Sequence, residues 1–377
     1  MRNDVLFLTL NIFSATGGIE KVCRVAGKAL YEYGIEKNKS LQIYSMHDGK
    51  NAADENKYFP AEIYRPYESN KLNFVKDAMH KGCMSKVVII SHINLLSIGW
   101  SIKKLCPSTK LLLFAHGIEV WSPLSEVKKK MLASCDGIIA VSNFTKQKMQ
   151  KIFGLNEKKI TVLNNCLDPY LPLAEGNEKK ELLLKTYGFC NQNKIIFTLA
   201  RLSVKDRYKG YDKVLEAISL IKEKMPEIRY LLAGKYDPEE KKHIEKLAHR
   251  LHLGGHIVMP GFINDEHLPS HYALADLYLM PSTKEGFGIV FIEAMHYGLP
   301  VIGGNKDGTS DALCNGELGI MVDPENTNEL ATAMEKVFQN KKGFMADKKL
   351  LMEKFGYDNY KLKLNVVLDI ATNARMN

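Results

Sequence analysis

The chain has 377 residues, too many for one ordinary core and enough for two. Its composition, 45% hydrophobic and 25% charged, is that of a globular protein. No run of eighteen unbroken apolar residues exists, which argues against a membrane-spanning helix; the longest candidate, Val87 to Ile102, is interrupted by Ser91, His92, Asn94 and Ser97. The net charge of +9 lies wholly in residues 1–170, which hold 24 Lys and Arg against 15 Asp and Glu.

Short β-branched or leucine-rich runs predict strands at Val5–Leu10, Leu41–Ser45, Lys86–Ser91, Leu111–Ala115, Gly137–Val141 and Ile160–Leu163. Amphipathic stretches between them, Ile19–Tyr33, Ser97–Leu105, Ser125–Ser134 and Asn143–Phe153, predict helices. Apolar strands alternating with helices form a parallel sheet covered on both faces. The segment Asp168–Asn193, with Pro169, Pro172 and Gly176, breaks the rhythm and reads as a linker. Strands then resume at Lys194–Leu199, Arg229–Ala233, His256–Pro260, Asp276–Met280, Val301–Gly303 and Gly319–Val322. Helices are expected at Tyr211–Met225, Pro238–Leu251, Val290–Tyr297 and Thr327–Asn340. The expected fold is α/β, two Rossmann-like doubly wound domains facing a central cleft: residues 1–170, a linker over 171–193, a second domain over 194–356, and a C-terminal helix over 357–377 packing back on the first domain.

The seven cysteines are odd in number and scattered, so they read as reduced thiols; with no HExxH pair among the eleven histidines, no metal site is expected. Met1-Arg2-Asn3-Asp4 runs directly into a strand-like segment, so no signal peptide and a cytoplasmic location are expected.

The strongest motif is Glu285-Gly286-Phe287-Gly288-Ile289-Val290-Phe291-Ile292-Glu293, following the strand that ends at Met280. The glycines allow backbone to approach a ligand, and a helix starting near Gly288 points N–H donors at an anion. Glu285 in the loop and Glu293 inside the helix can bracket a ligand rich in hydroxyls, which carboxylates accept. Arg201 and His116 each directly follow an apolar strand, at the edge where open α/β sheets bind ligands.

This string resembles the E-x7-E motif of the retaining GT-B glycosyltransferases, nearest to the large family 4-like group. Weaker matches follow in the right order: Gly17-Gly18-Ile19-Glu20, the His116-Gly117 segment, Val141-Ser142, Arg201 with Lys209, and Gly298-Leu299-Pro300-Val301-Ile302. The resemblance implies a transferase that moves a sugar from a UDP- or GDP-sugar to a glycan or lipid-linked acceptor with retention, as in cell-surface polysaccharide synthesis. It implies that Arg201 and Lys209 hold the donor diphosphate without a metal or other cofactor, and that Glu293 binds the ribose. Glu285 then meets the transferred sugar, amides of Phe287, Gly288, Ile289 and Val290 face sugar and diphosphate, His116 lies near the anomeric carbon, and Gly17 and Gly18 approach diphosphate or acceptor. Asp311 is a candidate for the acid that the family carries after its P-V-I strand, but Gly303 to Ser310 makes that match loose.

The basic excess reads in two ways, as a face for anionic lipid or a phosphorylated acceptor, or as ordinary solvated lysine. Two candidate helices, Lys71–Lys81 and Glu126–Leu132, mix basic and apolar residues and would suit peripheral membrane contact. No basic–aromatic interleaving supports nucleic-acid binding. The alternatives are a nucleotide-sugar epimerase on the same scaffold and a nucleotide-binding protein without transferase activity.

Overall fold

A computed structural model describes residues 3–52, 54, 56–173 and 177–373. Gly176 of the expected linker, and the last four residues of the expected C-terminal helix, lie outside the described residues. The chain divides into two compact units, Met1–Tyr170 with Phe355–Asn377, and Leu171–Lys354.

The first unit contains seven parallel strands: β1 (Asn3–Thr9), β2 (Leu41–Ser45), β3 (Tyr64–Pro66), β4 (Ser85–Ile90), β5 (Lys110–Ala115), β6 (Gly137–Ala140) and β7 (Ile160–Val162). They lie in the order β3-β2-β1-β4-β5-β6-β7. Val5, Leu6, Phe7 and Leu8 of β1 are all buried, as are Val87 to Ile90 of β4. Helices cover both faces, so these central strands are unbroken apolar runs rather than alternating ones. Register follows from the pleat, with Phe7 opposite Ile43 on one side and Ile89 on the other. The helix Tyr357–Asn373 joins this unit, burying Tyr360, Leu364 and Leu368 in the same core as Ala26, Ala29, Leu30 and Tyr33 of the helix Gly18–Lys37. The short edge strand β3 is too brief to give a periodic signal in the sequence.

The second unit holds six parallel strands: β8 (Lys194–Leu199), β9 (Ile228–Ala233), β10 (Ile257–Gly261), β11 (Leu277–Met280), β12 (Val301–Gly304) and β13 (Ile320–Val322), in the order β10-β9-β8-β11-β12-β13. In each sheet the order reverses once, between β1 and β4 and between β8 and β11. At such a reversal the flanking loops leave in opposite directions and open a crevice at the carboxyl ends of the strands.

Two sequence expectations are corrected. The segment read as a linker contains a helix, Asn177–Tyr187, and belongs to the second unit. Its Leu183 and Leu184 are buried where it packs on the helix Leu268–Leu274; the prolines and glycine that suggested a linker all precede it. The second concerns the cysteines. Cys83 ends the helix Lys71–Cys83 and Cys106 follows the helix Leu96–Leu105; these helices pack together, placing the two Cα atoms 5.3 Å apart, and the thiols form a disulfide. A spacing of 23 residues carried no hint of this pairing, which arises from tertiary contact. Cys23, Cys135, Cys166, Cys190 and Cys314 are free. No helix among the described residues is long and apolar enough to cross a membrane.

Candidate active site

The residues singled out from the sequence fall into two groups, one in each unit, and both lie beyond the carboxyl ends of the sheet strands.

In the second unit, Arg201 leaves the carboxyl end of β8 and the Glu285 loop leaves that of β11, on the two sides of the reversal. Lys209 closes the 3-10 turn Val204–Lys209, and its Nζ lies 2.7 and 2.6 Å from the two Glu285 carboxylate oxygens. The ion pair ties the β8 loop to the β11 loop across the crevice, and both partners are largely withdrawn from solvent. Arg201 makes a two-pronged contact with Asp206, Nε at 2.6 Å and Nη2 at 2.9 Å. Burial alone would raise the Asp206 carboxyl, but the bonds from Arg201 and Ser203 outweigh it and hold it at about 2. Asp206 is thereby a fixed anion that aims a guanidinium whose own side chain stays 72% exposed, free to meet a soluble anion on its remaining donors.

The Glu285 loop is shaped by glycine. Gly288 precedes the helix Ile289–His296 with φ +86°, and a Cβ there would lie 2.5 Å from the Phe291 ring. No side chain caps this helix, so its first amides are left to other acceptors. Phe287 turns inward and is buried. Glu293, one turn into the helix, is buried too and accepts a hydrogen bond from the Tyr272 hydroxyl at 3.2 Å.

The sequence reading missed Asp307. It is fully buried, and its Oδ2 accepts from the Ser282 hydroxyl at 2.7 Å and the Glu285 amide at 2.6 Å, while Oδ1 accepts from the Thr309 amide at 3.0 Å. Burial pushes this carboxyl up to about 6 against those hydrogen bonds. Asp307 is an acid that meets the Glu285 loop, four residues before the Asp311 considered from the sequence. An acid among glycines four residues before Asp311 was visible; that it turns inward was not.

In the first unit, Gly17 and Gly18 open the helix Gly18–Lys37 without a side-chain cap. The loop before them is held by a second residue that the sequence did not mark, Asp48. Its carboxylate accepts from the amides of Ile12 (2.8 Å), Phe13 (3.2 Å) and Ser14 (2.8 Å) and from the Tyr64 hydroxyl (2.6 Å). Burial opposes its ionisation, yet these donors hold its carboxyl below the ordinary range.

His116 follows β5, stacks on Phe114 with centroids 6.0 Å apart, and places Nε2 2.8 Å from the Ser91 carbonyl. A carbonyl only accepts, so Nε2 carries the proton and Nδ1 presents a lone pair; Nδ1 is enclosed and has no partner. Burial pushes the imidazole down to about 4, against the Ser91 bond, so it is neutral at physiological pH. Gly117, at φ +140°, lets the chain turn so that Glu119 accepts the His116 amide at 2.5 Å. Ser142 of the V-S match caps the helix Asn143–Phe153 by accepting the Thr145 amide at 3.0 Å, a structural duty.

Among the described residues, one group of side chains has metal-ligand proximity: Asp212, Glu240 and His243. Arg207 already neutralises Glu240 with Nε and Nη2 at 2.9 to 3.0 Å, and His243 Nε2 lies 2.9 Å from Asp212. Its chemistry is that of a salt-bridge network.

Two family models match in succession: Glycosyltransferase Family 4 over residues 16–170 and Glycosyl transferases group 1 over residues 179–358. The chain belongs to the group 1, family 4-like glycosyltransferases. An uncharacterized glycosyltransferase of Methanocaldococcus jannaschii is 26% identical to this glycosyltransferase over 91% of the chain and 92% of its own length. Mannosylfructose-phosphate synthase of Agrobacterium fabrum is 29% identical over 55% of the chain, which spans 46% of that relative. A GDP-mannose-dependent phosphatidylinositol monomannoside mannosyltransferase of Mycobacterium tuberculosis is 27% identical over 62% of each. Among solved structures, Anabaena HepE in complex with UDP and glucose superposes with a TM-score of 0.79 at 18% identity, covering 97% of this chain and 99% of that one. Sucrose-phosphate synthase from Thermosynechococcus elongatus gives 0.76 at 18% identity, covering 99% and 100%. The fold of the glycosyltransferase is therefore GT-B, two Rossmann-like domains with parallel sheets of seven and six strands.

Proposed function

We propose that this glycosyltransferase takes its sugar from a nucleoside diphosphate donor, UDP- or GDP-linked, and transfers it with retention to a hydroxyl of a glycan or lipid-linked acceptor in cell-surface polysaccharide synthesis. The observation that carries the donor reading is the meeting of Arg201, Lys209 and Glu285 where the second sheet reverses. A diphosphate leaving group develops negative charge as the glycosidic bond breaks, and preformed cations stabilise that charge without reorganisation. Arg201, aimed by Asp206, and Lys209 are such cations, so the donor needs no divalent metal or other cofactor. Donor diphosphate draws Lys209 from Glu285, whose carboxylate then accepts hydroxyls of the sugar. Glu293 takes the ribose hydroxyls, and the amides from Phe287 to Val290 face sugar and diphosphate.

His116 meets the sugar near the anomeric carbon through its ring or its carbonyl, and with its low affinity for a proton it adds no positive charge there. Gly17 and Gly18, on the loop that Asp48 fixes, give close backbone approach to diphosphate or acceptor. In the retaining step the bond from C1 to the diphosphate oxygen breaks as the acceptor oxygen bonds C1 on the same face. The acceptor proton passes to the departing phosphate oxygen, and the protein supplies positioning and charge.

The acceptor reading draws on the first unit. On the helix Lys71–Cys83, Phe74 and Ala78 are buried while Leu72 is 85% exposed beside Lys71 and Lys76; Val127 is exposed beside Lys128 and Lys130. Cations around exposed aliphatics suit an anionic lipid surface, where a lipid-linked acceptor would reside.

The test is nucleotide release from a panel of UDP-, GDP- and ADP-sugars, with and without a lipid-linked acceptor fraction and with EDTA. Release from one donor, stimulated by acceptor, insensitive to EDTA and lost in Glu293→Ala, supports the reading; silence across the panel rejects it. The anomeric configuration of the product, read by NMR, decides retention. Co-sedimentation with vesicles containing phosphatidylglycerol, weakened in Leu72→Asp, decides the membrane contact.

A further inference from the structure

Asp307 has no role in the chemistry above, yet it is more deeply embedded than any residue that has one. It lies at 0% exposure between the loop after β11 and the loop after β12. Every group bonded to it is a donor: the Ser282 hydroxyl, the Glu285 amide and the Thr309 amide. The same two loops are joined a second time, by the Gly308 amide donating to the Glu285 carbonyl at 2.8 Å. They touch so closely that a Cβ on Gly308 would lie 2.1 Å from the Gly286 carbonyl oxygen. Both the amide and the carbonyl of Glu285 are thus held by residues 307 and 308.

We infer that Asp307 is a positioning residue of the donor site, fixing the main chain at Glu285, and with it the Lys209–Glu285 pair, in the place where the transferred sugar is met. The inference rests on the reading that Glu285 contacts that sugar. A side chain on an unanchored loop samples several positions, and the reacting geometry tolerates little displacement. Here the loop is anchored by a carboxylate that cannot swing away, because it is enclosed and each of its bonds points into the structure. Both diphosphate-holding cations stand on the β8 loop, where Asp206 aims Arg201 and Lys209 closes the 3-10 turn, so the main chain that carries them does not depend on Asp307.

Asp307→Asn keeps the size and removes one acceptor. An amide nitrogen in place of either oxygen faces an N–H or O–H donor, so at least one tie is lost. Ser282→Ala, the second variant, removes one donor and keeps the carboxylate. Hydrogen exchange of the Glu285 to Gly288 amides reads the anchoring without any substrate. In Asp307→Asn these amides should exchange at least about tenfold faster, while those of Leu277–Met280 in β11 stay as in the wild type. Turnover of the active nucleotide-sugar should fall by about 100-fold, with affinity for the nucleoside diphosphate alone, by calorimetry, held within about twofold. Ser282→Ala should fall between wild type and Asp307→Asn in both readouts.

Unchanged exchange in Asp307→Asn overturns the anchoring. Faster exchange with unchanged turnover overturns the link to the sugar. Equal loss of nucleotide affinity and turnover, with β11 also exchanging faster, shows a residue that merely holds the fold. If the wild type uses no nucleotide-sugar at all, the function proposed above fails, and the positioning role falls with it even where exchange shows the loops to be tied.

Discussion

Replacing Asp48 by Asn tests how much one enclosed carboxylate holds the first unit together. The carboxylate is fully buried and accepts from the amides of Ile12, Phe13 and Ser14 and from Tyr64. Asparagine has the same shape but a single acceptor oxygen. If that oxygen takes the place of Oδ2, the bonds to Ile12, Phe13 and Tyr64 survive as neutral ones and the Ser14 amide faces an NH2 group. A hydrogen bond to a charged partner contributes about 1.5–3 kcal/mol and a neutral one about 1, while a buried donor left unsatisfied costs about 1–3. Three weakened bonds and one lost bond sum to about 4–6 kcal/mol, or a fall in Tm of about 10–15 °C for a unit of this size. Calorimetry and urea unfolding at pH 7 measure it. The sign of the pH dependence is fixed as well. The folded Asp48 carboxyl lies below its unfolded value, so its contribution is present above that ordinary value and is lost as pH falls through the folded one. The variant should therefore show a flatter acid limb. A loss under about 1 kcal/mol at pH 7 with an unaltered acid limb would refute the reasoning.

Arg201→Met should weaken nucleoside diphosphate binding by about 10- to 100-fold, the value of a charge-assisted contact, in a titration calorimeter. His116, held at about 4 against its ordinary 6.5, stabilises the fold above pH 6.5 and loses that contribution as pH falls toward 4. The loss reaches about 2 kcal/mol by pH 5, and the difference should vanish in unfolding curves of His116→Phe. Reduction of the Cys83–Cys106 bond should lower stability by about 3 kcal/mol, from the entropy of a closed loop of 23 residues, as read by unfolding with and without dithiothreitol.

Much of this protein was legible before its structure. The apolar strand runs and amphipathic intervals specify their own periods, so Val5-Leu6-Phe7-Leu8 and Val87-Val88-Ile89-Ile90 announce buried parallel strands. The loop Glu285 to Glu293 was legible because its chemistry is contiguous: glycines, a helix start and two carboxylates lie within nine residues. Tertiary structure alone decided what depends on partners far along the chain. Asp48 was one acid among many until the sheet brought it under Ile12, and Asp307 until β11 and β12 became neighbours. The same holds for Cys83 and Cys106, joined by two packed helices, and for Lys209, 76 residues from the glutamate it pairs with. A hydrogen-bond acceptor has no period and no propensity that names its donor. Sequence therefore determined the elements and the contiguous motif, and only folding determined which buried charges hold them in place.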